Sequence, residues 1–263
     1  DSSSGSGLTP FKQKFPERHL EFGIMEQGVV GFASGLATTG KIPFVAAIAP
    51  FVTSRPFEMV RNDVGYMRQN VKVVGRSAGL TYGDLGPTHQ SIDDSALMRT
   101  IPGMVVLVPG DPIEIVKAVQ AAAQHVGPVY LRVGSPSIPV LYESDEQCPF
   151  AIGKGIVMMD GNDVTIVSCG TALPRAFAAA ETLRQEGVGV RLISSPSVKP
   201  LDRALVGALR AHPAVAGWGT YRGSELVDGA GPLRLIAVEL DPRGEVAFDF
   251  RDGGGAETFA AFS

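Results

Sequence analysis

The sequence predicts an α/β protein of two doubly wound domains, and three observations carry that expectation. Strand-like and helix-like stretches alternate along most of the chain, the pattern of a largely parallel sheet with helices on both faces. Ile42–Ile48 and Val71–Gly75 are nearly continuous apolar runs, as strands buried on both faces are. At 263 residues the chain is long for one domain and comfortable for two.

Taken in order, Asp1–Pro10 is rich in Ser and Gly and reads as a loop. His19–Gly23 is apolar enough for a short strand that runs into a helix at Glu26. That helix ends at Thr39-Gly40, glycine being a usual helix stop. After the Ile42–Ile48 strand, a helix over about Arg55–Gln69 carries Phe57, Val60, Val64 and Met67 at three- and four-residue spacing. Ser77–Ile92 is a long polar loop with Gly79, Gly83, Gly86-Pro87 and His89, and polar loops longer than about 12–15 residues are usually functional or disordered. Met104–Val108 is a strand. Asp111-Pro112-Ile113-Glu114 then opens a helix, with Asp as the cap, Pro in the first position and Glu three residues after the cap.

Val129–Val133 closes a first domain of residues 1–134. Residues 135–150 read as a linker, with three prolines between Gly134 and Phe150 and the acidic Glu143, Asp145 and Glu146. Residues 151–263 form a second, smaller domain: strand Val164–Ser168, helix Leu173–Gln185, strand Val188–Ile193, and a helix after Lys199-Pro200-Leu201-Asp202. The pattern turns atypical after about residue 212, where Leu233–Leu240 has strand composition and Gly253–Gly255 reads as frayed.

Composition narrows the function classes. A hydrophobic content of 44%, a charged content of 19% and a net charge of −4 give no electrostatic footprint for nucleic acid or an anionic membrane. Small molecules or proteins are the expected partners. Cys148 and Cys169 lack the close spacing of a zinc or redox motif and read as two inert thiols of a reducing compartment. No apolar run reaches the roughly 18 residues of a membrane span, and Asp1–Gly7 lacks the features of a signal peptide, so a cytoplasmic location is expected. The absence of an initiator Met suggests a fragment, a processed chain or a subunit whose first elements lie elsewhere.

The stretch Glu21-Phe22-Gly23-Ile24-Met25-Glu26-Gln27-Gly28 holds a carboxylate where its neighbours predict burial, with Val29, Val30, Phe32, Ala33 and Leu36 following at helical spacing. Stripping water from an unpaired carboxylate costs several kcal/mol, so Glu26 is expected to be protonated or to meet a basic partner. The alternative is an exposed first-turn glutamate favoured by the helix dipole.

Glu26 in Ile24-Met25-Glu26-Gln27, the Phe- and Arg-rich helix after it, Gly86-Pro87-Thr88-His89-Gln90 and the Asp111 helix start occur together in order. In this combination the chain resembles the C-terminal half of a transketolase, its pyrimidine-binding and C-terminal domains, and most of all the small subunit of a bacterial split transketolase. The resemblance is strong over Phe15–Leu141, fair from Ile152 to Asp202 and poor after His212. It implies thiamine diphosphate and Mg²⁺ as cofactors and transfer of a two-carbon ketol unit from a ketose to an aldehyde acceptor. Glu26 matches the glutamate that faces the pyrimidine ring and drives its imino tautomer, whose amino group deprotonates the reactive carbon. Phe51 and Ile48 match the two aromatic positions that wall the ring; Phe51 can stack, whereas Ile48 gives apolar contact. His89 matches a histidine beside the reactive carbon and the donor's hydroxyls, placed to relay protons.

Three positions depart from the pattern. Ser77 stands where transketolases often carry a substrate-contacting His, Leu85 where an Asp reads the acceptor's hydroxyl, and Ser135 where an Arg holds the sugar phosphate. Without that Arg a bidentate phosphate clamp is lost. Nothing matches the family's Gly-Asp-Gly…Asn motif for diphosphate and metal, and Gly153-Lys154-Gly155 is too short to replace it. The resemblance therefore implies a larger partner subunit that carries that motif and the metal ligands, in a heterotetramer of two of each. Two other readings stay open: a 1-deoxyxylulose 5-phosphate synthase-like or 2-oxo acid dehydrogenase β-subunit-like enzyme, and a non-catalytic scaffold subunit.

Overall fold

The computed structural model describes residues 7–134, 137–210, 235 and 236. Its strands are β1 (Phe44–Ile48), β2 (Lys72–Arg76), β3 (Val105–Leu107), β4 (Val129–Arg132), β5 (Ile156–Met159), β6 (Val164–Ser168), β7 (Val190–Ser194), β8 (Ser197–Lys199) and β9 (Leu235–Ile236). Its α-helices are α1 (Thr9–Lys14), α2 (Glu26–Ala37), α3 (Ala49–Val52), α4 (Phe57–Met59), α5 (Asp94–Thr100), α6 (Pro112–Gln124), α7 (Leu173–Gln185) and α8 (Arg203–Arg210). The described residues fall into two compact units. The first holds 7–134 and 137–156 with Cys169–Phe177 and Ser194–Asp202; the second holds Val157–Ser168, Ala178–Ile193, 203–210 and 235–236.

The first unit is organised on a five-stranded sheet in the order β1-β2-β4-β3-β8, in which β8 alone runs antiparallel to its neighbour. The register sorts the side chains onto two faces, because successive residues of a strand point to opposite sides. Val45, Val73, Tyr130 and Val106 share one row and belong to a core with Val30 and Ala33 of α2 and Met98 of α5. The adjacent row places Val129 and Val105 in a second core, with Ala118 and Ala122 of α6. Apolar cores on both faces of a mostly parallel sheet make this unit doubly wound. The second unit has a sheet in the order β5-β7-β6-β9, with β6 and β9 parallel.

Helix α6 begins as its sequence requires. Asp111 accepts hydrogen bonds from the backbone N–H groups of Ile113 (2.6 Å) and Glu114 (3.3 Å), capping a helix whose first residue is Pro112. The expected strand at His19–Gly23 does not form: the segment has no ladder partner among the described residues and leaves Leu20, and Ile24 just after it, exposed. Strand β1 lies at the sheet edge and is half exposed rather than fully buried. The single helix expected over Arg55–Gln69 is interrupted, with α4 passing into a π-helix over Val60–Tyr66. Bonds from Met67 N–H to Asn62 O and from Gln69 N–H to Val64 O span five residues, and the Asp63 carbonyl takes the Ser34 hydroxyl of α2 at 2.6 Å. Of the atypical C-terminal stretch only β9 falls within the described residues, and Gly253–Gly255 lies outside them.

Two buried ionisable groups brace the first unit. Lys72, fully buried on β2, donates from Nζ to Asn70 Oδ1 (2.6 Å) and to the carbonyls of His125 (2.8 Å) and Gly127 (2.7 Å), pinning the turn that feeds β4. Burial pushes its ammonium down to about 8. Glu114 accepts from Gly110 N–H (2.7 Å), the Tyr142 hydroxyl (2.7 Å) and the Ser194 hydroxyl (2.6 Å), tying the start of α6 to the 137–150 segment and to Ser194. That segment, linker-like in composition, is held further by Lys117, which donates to the carbonyls of Asp145 and Cys148.

Burial raises the Glu114 carboxyl above its ordinary value near 4.5, while the three hydrogen bonds pull it partly back. A carboxyl with a raised folded value contributes stability that is complete below about pH 4.5 and is lost as pH rises through the raised value. Glutamine at this position does not titrate. The melting-temperature advantage of the wild type over Glu114→Gln is therefore expected to shrink as pH rises above about 4.5. A difference that stays constant or grows over this range would show that the carboxyl is not held protonated by burial.

Candidate functional site

In open parallel sheets ligands bind outside the carboxyl ends of the strands. The first unit places Ile48, Phe51, Ser77, Leu85 and His89 at that edge, on the adjacent strands β1 and β2 and the segments that follow them. Ile48 ends β1, half buried and in register with Arg76 at the end of β2. The chain turns directly into α3, which carries Phe51. Beyond β2, Ser77 is buried with φ of +51°, a left-handed conformation that costs a side-chain-bearing residue energy. The loop it begins is closed at its base by paired backbone bonds between Gly79 and Ser91.

At the far side of that loop a 3₁₀ turn, Gly86–Thr88, presents His89. Its ring meets Phe51 edge-on with centroids 5.0 Å apart and Tyr82 at 5.9 Å, and Nδ1 lies 2.9 Å from the Thr88 hydroxyl. Leu85, in the same loop, is half exposed. Asp94 accepts from the Tyr130 hydroxyl (2.6 Å) and Arg132 Nε (2.7 Å), and Arg132 also donates to the Ser91 carbonyl (3.3 Å) at the loop base. Gly75 gives this cluster its room, since a Cβ there would lie 2.4 Å from the Tyr130 oxygen. Ser135 lies outside the described residues.

Glu26 starts α2 without a side-chain cap before it and is only 3% exposed, although Ile24, Met25 and Phe32 around it are exposed. The expected basic partner is Arg55, whose Nη1 stands 3.1 Å from Glu26 Oε1. The same guanidinium lies 4.2 Å from the centre of the Phe51 ring. Arg55 brings Glu26 and Phe51 into one cluster, although the sequence patterns do not single it out. The available signal is only its place four residues after Phe51, in the turn that follows α3.

The glycines at 153 and 155 make no anion cradle. Gly153 N–H donates to the Ser197 hydroxyl (2.9 Å), Gly155 N–H to Asp202 Oδ2 (3.2 Å), and Lys154 stands 3.8 Å from Asp202. Among the described residues no group of three or more His, Cys, Asp or Glu side chains is gathered as a metal site requires. Both cysteines are free, and burial raises both thiols, Cys148 to about 11. No helix among the described residues is long and apolar enough to cross a membrane.

The fold defines a doubly wound α/β protein with its candidate residues at the carboxyl edge of a parallel sheet. Comparison with known proteins makes this specific. Residues 1–139 match the model of the transketolase pyrimidine binding domain and residues 153–215 that of the transketolase C-terminal domain. The chain belongs to the transketolase family.

It is 34% identical over 248 residues to one subunit of the apulose-4-phosphate transketolase of Phocaeicola vulgatus, covering 90% of this chain and 79% of that protein. It is 38% identical over 206 residues to a Methanocaldococcus jannaschii protein provisionally named a transketolase C-terminal section, covering 78% of this chain and 65% of that protein. A solved split-gene transketolase, described as an inactive tetramer of four β chains, superposes with a TM-score of 0.72 at 40% identity, over 80% of this chain and 67% of that one.

Proposed function

We propose that this chain is the smaller subunit of a cytoplasmic, thiamine diphosphate-dependent transketolase-like enzyme that moves a two-carbon ketol unit from a ketose donor to an aldehyde acceptor. The observation that carries this reading is the buried Glu26 carboxylate, joined through Arg55 to the Phe51 ring at the carboxyl edge of the sheet. A buried acceptor next to a flat apolar face fits the aminopyrimidine half of that cofactor. The diphosphate half is not matched, because the donors at Gly153–Gly155 are already taken within the chain. A larger subunit holding the diphosphate and Mg²⁺, two of each chain in a heterotetramer, completes the site in this reading. The relative described as an inactive tetramer of β chains supports the need for such a partner.

When bound, the cofactor supplies an acidic carbon that, once deprotonated, adds to a carbonyl and carries the two-carbon unit. Glu26 would share a proton with the pyrimidine nitrogen and so favour the imino tautomer, the form with a basic exocyclic nitrogen able to accept the proton of the acidic carbon. Phe51 stacks on the ring and Ile48 adds apolar contact. His89, presented by its 3₁₀ turn, exchanges protons with the donor's hydroxyls. In this reading Ser77 and Leu85 line the acceptor side, and Ser135 is assigned to it by the family pattern alone. Donor choice tests the reaction: with the larger subunit present, a ketose phosphate is expected to serve as donor and pyruvate not. Turnover of pyruvate alone would favour the 1-deoxyxylulose 5-phosphate synthase-like reading instead.

A further inference from the structure

Arg55 makes the two contacts that an aminopyrimidine would need. Its guanidinium is a planar cation with a fork of N–H donors, suited both to a carboxylate and to an aromatic face. One of those donors stands 3.1 Å from Glu26 Oε1, and the plane's central carbon lies 4.2 Å from the Phe51 centroid. A protonated aminopyrimidine has the same description: flat, with charge delocalised over an N–C–N unit and N–H donors at its edge. Two flat cations cannot share one face of Phe51 and one carboxylate oxygen.

The surroundings make Arg55 the movable member of the cluster. Glu26 is 3% exposed, whereas the Arg55 side chain is 42% exposed and reaches the pair from solvent on a long flexible stem. Its backbone position follows α3, and its carbonyl accepts from Gln27 Nε2 (3.5 Å), so the side chain can swing out while the main chain stays in place.

We propose that Arg55 is a built-in occupant of the seat formed by Glu26 and Phe51, standing in for a flat amidine-type cation until an aminopyrimidine displaces it. This rests on the reading of Glu26 and Phe51 given under Proposed function. In the unloaded subunit Arg55 neutralises a buried carboxylate that would otherwise lack a partner. On loading, the ring takes over both contacts and Arg55 moves to solvent. Because the ligand competes with an internal group, its apparent affinity is reduced by the fraction of molecules whose seat is open.

The test is a calorimetric titration of thiamine diphosphate with Mg²⁺ into the assembled two-subunit enzyme, comparing wild type, Arg55→Met and Arg55→Lys. With a seat capped about nine-tenths of the time, Arg55→Met is expected to lower the dissociation constant roughly tenfold. Arg55→Lys keeps a cation beside Glu26 but has no plane to lay on Phe51, so a smaller gain is expected. The lysine variant carries the test if the methionine variant fails to fold. Unchanged or weaker binding in the folded variants, with wild type binding normally, would overturn the proposal and leave the subunit reading standing. No binding by wild type or variants would bring down that reading and the proposal with it.

Discussion

Glu26→Gln is expected to leave the subunit folded and able to assemble, yet to slow proton exchange at the cofactor's reactive carbon by roughly 10²–10⁴-fold, the usual worth of a positioned acid–base group. Glutamine fills almost the same volume and its oxygen still accepts from Arg55, so the packing around α2 and the 3.1 Å contact have close replacements. What the amide cannot do is share a proton with the ring nitrogen. The loss should therefore appear in the exchange rate and in turnover rather than in assembly. Phe51→Ala makes the contrast, since removing the stacked face weakens cofactor binding while leaving the proton-sharing group in place. Exchange at the wild-type rate in Glu26→Gln would show that Glu26 is not the activating group.

The second large effect concerns the acceptor. A sugar-phosphate transketolase sets an Arg on the phosphate and an Asp on the adjacent hydroxyl, and hydrogen bonds to charged groups are each worth roughly 1.5–3 kcal/mol. In the proposed reading those positions are Ser135 and Leu85, and Leu85 offers only a half-exposed apolar side chain. Arg132, a neighbouring cation at the same sheet edge, is bound to Asp94 at 2.7 Å, which leaves it poorly placed to replace the clamp. The assembled enzyme is therefore expected to prefer an unphosphorylated or less hydroxylated acceptor. Ser135→Arg should move the preference back towards a phosphorylated aldose. The comparison is of kcat/KM for ribose 5-phosphate against unphosphorylated aldehydes. A preference of about a hundredfold or more for the phosphate ester, worth about 2.7 kcal/mol, would show that another cation, such as one from the partner, holds the phosphate.

Local signals in the sequence locate the elements that depend on local chemistry. Asp111-Pro112 set the start of α6, and the α7 range follows its 3.6-residue pattern from Leu173 to Gln185. Elements that depend on distant partners are not legible. His19–Gly23 has strand composition but finds no strand among the described residues to pair with, and β8 is three residues whose only signal is its ladder with β3. The break in the helix expected after Arg55 comes from π-type bonding, which shifts each bond by one residue and leaves no mark in apolar periodicity. Lys72 and Glu114 are buried by carbonyls and hydroxyls up to 80 residues away, a satisfaction that sequence spacing cannot display.

The candidate site divides in the same way. Glu26, Phe51 and His89 stand out in the sequence; the fold brings Phe51 and His89 to one edge because β1 and β2 are adjacent and parallel, and Arg55 links Glu26 to Phe51. Burial of Glu26 is expected from apolar neighbours, yet Ile24 and Phe32 face solvent. The carboxylate is instead enclosed where Arg55 and the segment after α3 close over the start of α2, a tertiary arrangement that hydrophobic pattern does not encode.

The central claim is that this chain contributes only the pyrimidine half of a shared cofactor site. Calorimetric titration of thiamine diphosphate with Mg²⁺ into the purified single chain tests it most directly, because the diphosphate and its metal contribute much of the binding energy and their ligands are assigned to the partner. The account predicts no appreciable binding by the single chain and clear binding once the larger subunit is added. Micromolar affinity in the single chain would contradict it.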